Sequence, residues 1–107
     1  MEKLPYLYQK FTEAYPDIYR AHEDMARSCH VAGPLDEKTR QLVKIAVAAA
    51  VKSEGAVHSH TRQALKAGAT ADEIRHTVLL TATTIGFPNM MAAFSWVEET
   101  IELERGF

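Results

Sequence analysis

The chemically richest stretch of this 107-residue chain is Ser53–Arg62, which holds two of the five histidines beside a glutamate. His60 begins a ladder with Ala64 and Gly68 in steps of four, so on a helix its imidazole shares a face with two small residues. Such a face can leave a cavity beside the ring, where an imidazole can act as a general acid or base near neutral pH. The alternative is a histidine that is hydrogen-bonded to backbone in a helix-packing layer.

Glu54 and His58 form a second candidate pair, four residues apart. They can meet only if the helix that carries His58 extends back through Gly55. We expect such a pair to be an exposed and weak surface contact. The acidic cluster near the end of the chain, which includes Glu98 and Glu99, is interpreted in the same way as a solvated face.

The histidine spacing argues against a metal centre. His58 and His60 are two residues apart, which separates them by about 200° on a regular helix, so they cannot both bind one ion. Further ligands would have to be brought in by the fold from the remaining histidines, which are His22, His30 and His76. We therefore predict no metal.

Composition excludes several classes of protein. The chain is 47% hydrophobic and 24% charged with a net charge of −2, which fits one compact domain over residues 1–107. Its longest apolar run, Ile45–Val51, is far short of the roughly 20 residues of a membrane-spanning helix. The charged, proline-containing start does not fit a secretion signal, so we expect a cytoplasmic protein. Twelve basic residues against 14 acidic ones, with no basic stripe, argue against nucleic acid as a partner.

Cys29 is the single cysteine. It excludes an intramolecular disulfide and any two-cysteine redox motif, because both need two thiols in one chain. Cys29 shares an apolar stripe with Ile18 and Met25 at helical spacing, so we expect it to be an inert core residue.

Helical periodicity and helix-end signals predict an all-α fold of about six helices. No segment alternates with period two over a useful length. Helix starts are indicated by Pro5 and Pro16, a stop by Gly33-Pro34, and the next start by Leu35-Asp36-Glu37. A helix over about Ala56–Ala67 is ended by Gly68, and a capping box at Thr70-Ala71-Asp72-Glu73 starts a helix that runs through Ile74, Val78, Ala82 and Ile85 to Gly86. Pro88 precedes a last helix that buries Met90, Phe94, Val97 and Ile101.

One helix has almost no polar side. The run Leu42–Val51 is apolar at every position except Lys44, so it must lie at the centre of the fold or in a subunit interface. The helix through Ile74 and Val78 is also apolar over most of its surface. A protomer of this size has too few partner helices to cover both. We therefore predict a homo-oligomer.

Several segments, in order, resemble the carboxymuconolactone decarboxylase family, which includes the alkyl hydroperoxidase D-like proteins. The matching features are LDEKTRQLVKIAVAAAV from Leu35, His60 with Ala64 and Gly68, the helix start at Thr70-Ala71-Asp72-Glu73-Ile74, and Gly86-Phe87-Pro88 with Ala92 or Ala93 beyond. The resemblance covers about 60% of the chain. It implies an all-helical fold with a two-helix, repeat-like core, assembled as a homotrimer or homohexamer.

The peroxidase-type members of that family place two cysteines seven and four residues before the histidine, and a glutamate twelve residues before the first of them. On this chain those positions are Ser53, Ala56 and Gln41, so only His60 is kept. Thiol peroxidation needs a thiolate and a resolving thiol. Disulfide-cycling peroxidase activity is therefore disfavoured, although peroxiredoxin-type activity is what the wider family implies.

The decarboxylase-type members also lack the cysteine pair and keep the histidine. This resemblance implies a carboxy-lyase that releases carbon dioxide, without a cofactor, from an unsaturated lactone acid. His60 would then reprotonate the carbanion, and Glu54 and His58 are further catalytic candidates.

The same resemblance suggests how a small acid would be held. Arg40 and Arg62 can bind its carboxylate as a fork, although surface solvation is the alternative for both. Gln41 and Ser53, at two of the three changed positions, are further substrate-binding candidates. The alternative function is a non-catalytic, ligand-binding oligomer built on the same helices.

Overall fold

A computed structural model describes residues 5–105, and this part of the chain contains helices and no strand. The helices are α1 (Tyr6–Ala14), α2 (Pro16–His30), α3 (Glu37–Ala50), α4 (Glu54–Lys66), α5 (Ala71–Leu79), α6 (Ala82–Ile85) and α7 (Phe87–Glu104). Six of them have nine or more residues, and α6 is a single turn. The predicted all-α fold is confirmed. None of the described helices is long and apolar enough to cross a membrane.

The described residues fall into two compact units, and the first, up to Pro34, is formed by α1 and α2. The rings of Tyr8 and Tyr19 meet edge to face, with centroids 6.1 Å apart. Neither helix has a buried residue, and the predicted burial of Cys29 on an apolar stripe is wrong, because Cys29 is exposed. Two helices cover only the side chains that lie between them. A single domain over residues 1–107 stays a prediction.

The second unit, from Leu35 onwards, holds α3 to α7 around the hydrophobic core. In it α4 packs against α3 and α7, and α5 packs against the same two helices. The large core side chains with at most 1% exposure are Ile45, Val57, Ile74, Val78, Val97 and Ile101. Burial of such a side chain contributes about 1.5–3 kcal/mol, so this layer fixes the relative positions of α3, α4, α5 and α7.

Side chains cap the starts of α3 and α5. Asp36 accepts a hydrogen bond from the backbone N–H of Thr39 at 2.8 Å. Thr70 and Glu73 form the predicted capping box, with reciprocal bonds of 3.0 and 2.9 Å. The backbone N–H of Thr70 and the Nζ of Lys38 both donate to Glu73, and these bonds hold the pKa of its carboxyl below the usual value.

Two helices end in the same hydrogen-bonded turn but with different residues. At the end of α4, Gly68 has φ +96° and the N–H of Ala69 donates to the carbonyl of Ala64 at 2.9 Å. At the end of α3, Lys52 takes the equivalent position at φ +58°, and the N–H of Ser53 donates to the carbonyl of Ala48 at 3.0 Å. Both are Schellman motifs. The turn after α3 therefore carries a side chain where glycine is favoured.

Two predicted helix boundaries are wrong. The helix expected to start near Ala56 starts at Glu54, so Gly55 lies within its first turn. The helix expected to run unbroken from Ile74 to Ile85 is divided into α5 and α6. At the division, the N–H of Thr81 bonds three residues back to Val78, which tightens the turn.

The third helix presents apolar side chains on two sides. Ile45 and Ala48 face the core, whereas Val43 and Val47 are 48% and 56% exposed. Within one chain, α4 and α5 cover only the first of these sides. The residue types of α3 agree with the prediction that this helix has almost no polar side, and the other helices of the second unit leave its outer valines exposed.

Candidate active site

The side chains of His60 and Gln41 meet between α4 and α3. His60 Nδ1 lies 2.9 Å from Gln41 Oε1, and Gln41 is only 6% exposed. Packing of Val57 on α4 and Ile45 on α3 into the same core holds the two helices at this distance. His60 thus has a side-chain partner on α3 that lies 19 residues earlier in the chain.

The Gln41 contact selects one tautomer of the ring. An amide oxygen can only accept, so Nδ1 carries the proton and donates it to Oε1. Any acid-base chemistry of this ring would therefore use Nε2, the nitrogen that Gln41 does not hold. Because the amide is neutral, it orients the ring without adding the negative charge that would favour imidazolium.

Ser53 and Ala56 lie on the same face of α4 as His60, since seven and four residues are close to whole helical turns. Ser53 is the N-cap residue of α4, is half-buried, and makes no side-chain capping bond. Neither position supplies a thiol. The only cysteine, Cys29, belongs to the other unit.

The two arginine candidates differ in position. Arg40 is next to Gln41 on α3, and its Nη1 donates to the carbonyl of Leu35 at 2.8 Å. Its Nε is buried without a hydrogen-bond partner in the part of the chain that the structure describes. Arg62 is half-buried and follows His60 by two positions on α4, so its side chain leaves the helix about 200° away from the imidazole.

Glu54 and His58 meet on a different side of α4, toward α7. His58 Nε2 lies 3.2 Å from Glu54 Oε2, and the other ring nitrogen lies 2.6 Å from the hydroxyl of Thr100. The contact between His58 and Glu54 is exposed, as expected, although the side chain of His58 itself is only 22% exposed. A carboxylate oxygen of Glu99 also comes within 4.8 Å of the other two side chains. The structure therefore separates Glu54 and His58 from His60.

The predicted solvated acidic face of α7 is wrong for Glu98. Arg75 on α5 donates to both oxygens of Glu98, at 2.5 and 3.1 Å, and to Asp72 at 3.0 Å. These bonds raise the pKa of the Arg75 guanidinium above its usual value. The pair ties α5 to α7.

Sequence reasoning missed the positions of Thr100 and Glu99 beside His58, because the two residues lie about 40 positions away in the chain, although Glu99 was named as part of the acidic face. Their contact depends on how α7 crosses α4, and no local pattern encodes that crossing. The only sequence signal is that Thr100 precedes the buried Ile101 and follows the buried Val97 by three positions.

A shallow apolar groove of about 470 Å³ lies between α3 and the α5–α6 segment. It is lined by Thr39, Leu42, Val43, Ala46, Val47, Ala50, Thr77, Leu80, Thr81, Thr84 and Ile85. The lining includes neither His60 nor Gln41, so the cavity expected beside His60 is not this groove. Ala64, one turn after His60 on α4, is fully buried.

Three comparisons relate the chain to known proteins. Residues 16–99 match the sequence profile of the carboxymuconolactone decarboxylase family. An uncharacterized protein of Methanocaldococcus jannaschii is 30% identical over 84 residues, which are 78% of this chain and 78% of that protein. The crystal structure of a carboxymuconolactone decarboxylase family protein from Legionella pneumophila, in its apo form, aligns with a TM-score of 0.80 at 27% identity, covering 90% of this chain and 86% of that one. The profile match includes both Gln41 and His60.

Proposed function

The chain belongs to the carboxymuconolactone decarboxylase family, as its motifs predicted, and from that premise we propose that it is a cofactor-free decarboxylase with His60 as its general acid and base. The substrate would be a carboxylated unsaturated lactone or a related small acid. The chain's family membership supports the reaction class, and the geometry around His60 supports the choice of this residue for proton transfer.

The bond between His60 Nδ1 and Gln41 Oε1 is the observation that carries this proposal. A proton-transfer group must be held in one orientation and one tautomer, because a rotated ring presents the wrong nitrogen to the substrate. A buried amide at 2.9 Å provides that constraint.

The reaction needs a single proton. When the bond between the carboxylate and its carbon breaks, carbon dioxide leaves and the electron pair passes into the conjugated lactone carbonyl. Protonated His60 then delivers the Nε2 proton to carbon, and the neutral ring regains a proton from water. This sequence balances without a metal, a redox partner or a thiol.

Arg40 is the better of the two arginine candidates for the substrate carboxylate. Its buried Nε has an unused hydrogen, and an unsatisfied buried donor costs roughly 1–3 kcal/mol. A carboxylate bound there would satisfy that donor through a charge-assisted bond. Ser53, on the His60 face of α4, would contact the neutral part of the same substrate.

The proposal is tested by measuring carbon dioxide release from a panel of unsaturated lactone carboxylates. We expect at least one substrate to react, and we expect His60→Ala to lower its rate about 10²–10⁴-fold, the usual contribution of a positioned acid or base. His76→Ala is the matched control, because His76 is an exposed histidine on α5. Equal rates for wild type and His60→Ala would refute the role of His60.

We further propose that the chain forms a homotrimer or homohexamer. The half-exposed valines of α3 and the α1–α2 unit without buried residues support an assembly that covers apolar surface. Light scattering that shows a monomer at micromolar concentration would contradict it. In that case the groove beside α3 would favour the second candidate function, the binding of an apolar ligand without catalysis.

A further inference from the structure

Three potential metal ligands converge where the start of α4 meets α7. One ring nitrogen of His58 and one carboxylate oxygen from each of Glu54 and Glu99 all lie within 4.8 Å of one another. The two glutamates are exposed, whereas His58 is half-buried. This cluster lies on the α7 side of α4 and shares no residue with the pair formed by His60 and Gln41.

Thr100 determines which nitrogen of His58 faces the carboxylates. Its hydroxyl lies 2.6 Å from His58 Nδ1 and donates to the carbonyl of Trp96, one turn earlier, at 3.3 Å. Because that donation uses the hydroxyl proton, the oxygen accepts from Nδ1–H. Thr100 is 2% exposed, so this bond is protected from water.

His58 Nε2, the nitrogen that Thr100 does not hold, faces Glu54 Oε2 at a distance of 3.2 Å, and a carboxylate oxygen of Glu99 completes the group. Two carboxylates held this close repel one another, and a cation bound between them offsets that repulsion. Metal-bound histidines show the same arrangement, with the distal N–H donated to a protein oxygen.

The spacing also fits a coordination sphere. Zinc lies about 2.0–2.2 Å from histidine nitrogen and carboxylate oxygen, so neighbouring ligands of a tetrahedral site are about 3.4 Å apart. The contact between His58 Nε2 and Glu54 Oε2 is already 3.2 Å. Glu99 is exposed, and a change of side-chain rotamer can bring its oxygen over the remaining distance.

We propose that Glu54, His58 and Glu99 bind a divalent transition-metal cation, with Thr100 as the residue that positions the imidazole. Two carboxylate charges match a divalent ion, and a mixed nitrogen and oxygen set favours Zn²⁺, Fe²⁺ or Mn²⁺ over Mg²⁺. The bound ion would join α4 to α7. This proposal departs from the absence of a metal expected from histidine spacing, since it uses only one histidine.

The test is calorimetric titration of Zn²⁺ into the full chain after removal of metals with a chelator. We expect one Zn²⁺ per chain, unaffected by a large excess of Mg²⁺, and a higher melting temperature in its presence. Glu99→Gln should weaken binding tenfold or more without affecting the fold, because Glu99 is exposed. Glu102→Gln, the same change one turn further along α7, should bind Zn²⁺ as wild type does.

Thr100 gives an independent readout. Thr100→Val keeps all three ligands and should weaken Zn²⁺ binding roughly 10–100-fold, as loss of an outer-shell partner does. Thr100→Ser restores the hydroxyl and should recover most of the affinity. The proposal is overturned if wild type does not bind Zn²⁺, if Glu99→Gln binds it equally well, or if His76→Ala removes the binding.

Discussion

Replacement of Gln41 by glutamate tests the part that the neutral amide plays in setting the chemistry of His60. Gln41→Glu keeps the size of the side chain and places a carboxylate oxygen where Oε1 lies 2.9 Å from Nδ1. With charge centres about 4 Å apart and an effective dielectric constant of about 20, the attraction to imidazolium is about 4 kcal/mol.

Burial of the new carboxylate opposes this attraction, since position 41 is only 6% exposed. The net effect should be a pKa of His60 one to two pH units above that of wild type, or about 1.4–2.7 kcal/mol. A raised folded-state pKa adds stability below the unfolded-state pKa of histidine. That stability is lost as the pH rises through the raised folded value.

The assay is an NMR titration of the His60 ring, with its signals assigned by their loss in His60→Ala. The pH profile of carbon dioxide release should move upward by the same amount, because the same ring carries the proton. Gln63→Glu is the control, since it adds the same charge to α4 without occupying the Gln41 position, and should shift the titration by less than about half a unit. A His60 titration that is unchanged or lowered in Gln41→Glu would refute the reasoning.

Three further predictions concern stability, each measured as the free energy of unfolding in urea. Lys52→Gly should raise the free energy of unfolding by about 0.5–1 kcal/mol, because glycine adopts the positive φ of the turn after α3 without steric cost. An unchanged or lower free energy of unfolding would contradict the turn geometry. Ile74→Ala should lower it by about 2–5 kcal/mol, because the fully buried side chain leaves a cavity, whereas a loss below 1 kcal/mol would place Ile74 outside the core. The bonds of Glu73 to the Thr70 N–H and to Lys38 lower the pKa of its carboxyl, so they stabilise the fold above the unfolded-state pKa of glutamate. This stability is lost as the pH falls through the folded-state pKa. Glu73→Gln should therefore weaken the dependence of the unfolding free energy on pH in acid, and an unchanged dependence would contradict this role of Glu73.

Much of the fold could be read from local sequence signals. The capping box at Thr70 and the glycine after α4 mark boundaries that the structure places at those residues. The division after Leu79 and the left-handed turn at Lys52 were missed, because neither carries the glycine or proline that usually signals a break. In these places tertiary packing overrides the local pattern.

The candidate sites were predictable to different degrees. His60 was found by its residue type and the small residues that follow it, and Gln41 was found only through the resemblance to a family. The Thr100 and Glu99 contacts to His58 span about 40 residues and arise from helix crossing. Cys29 is exposed, contrary to expectation, because an apolar stripe predicts which face of a helix is apolar but does not predict which element covers that face.

The most direct test of the central claim is chemical rescue of His60→Ala by added imidazole. If His60 transfers the proton, the folded variant should release carbon dioxide slowly, and its rate should rise in proportion to imidazole concentration while Gln41 and the rest of the site stay in place. Wild-type activity of His60→Ala without imidazole, or a folded and impaired variant that does not respond to imidazole, would contradict the account.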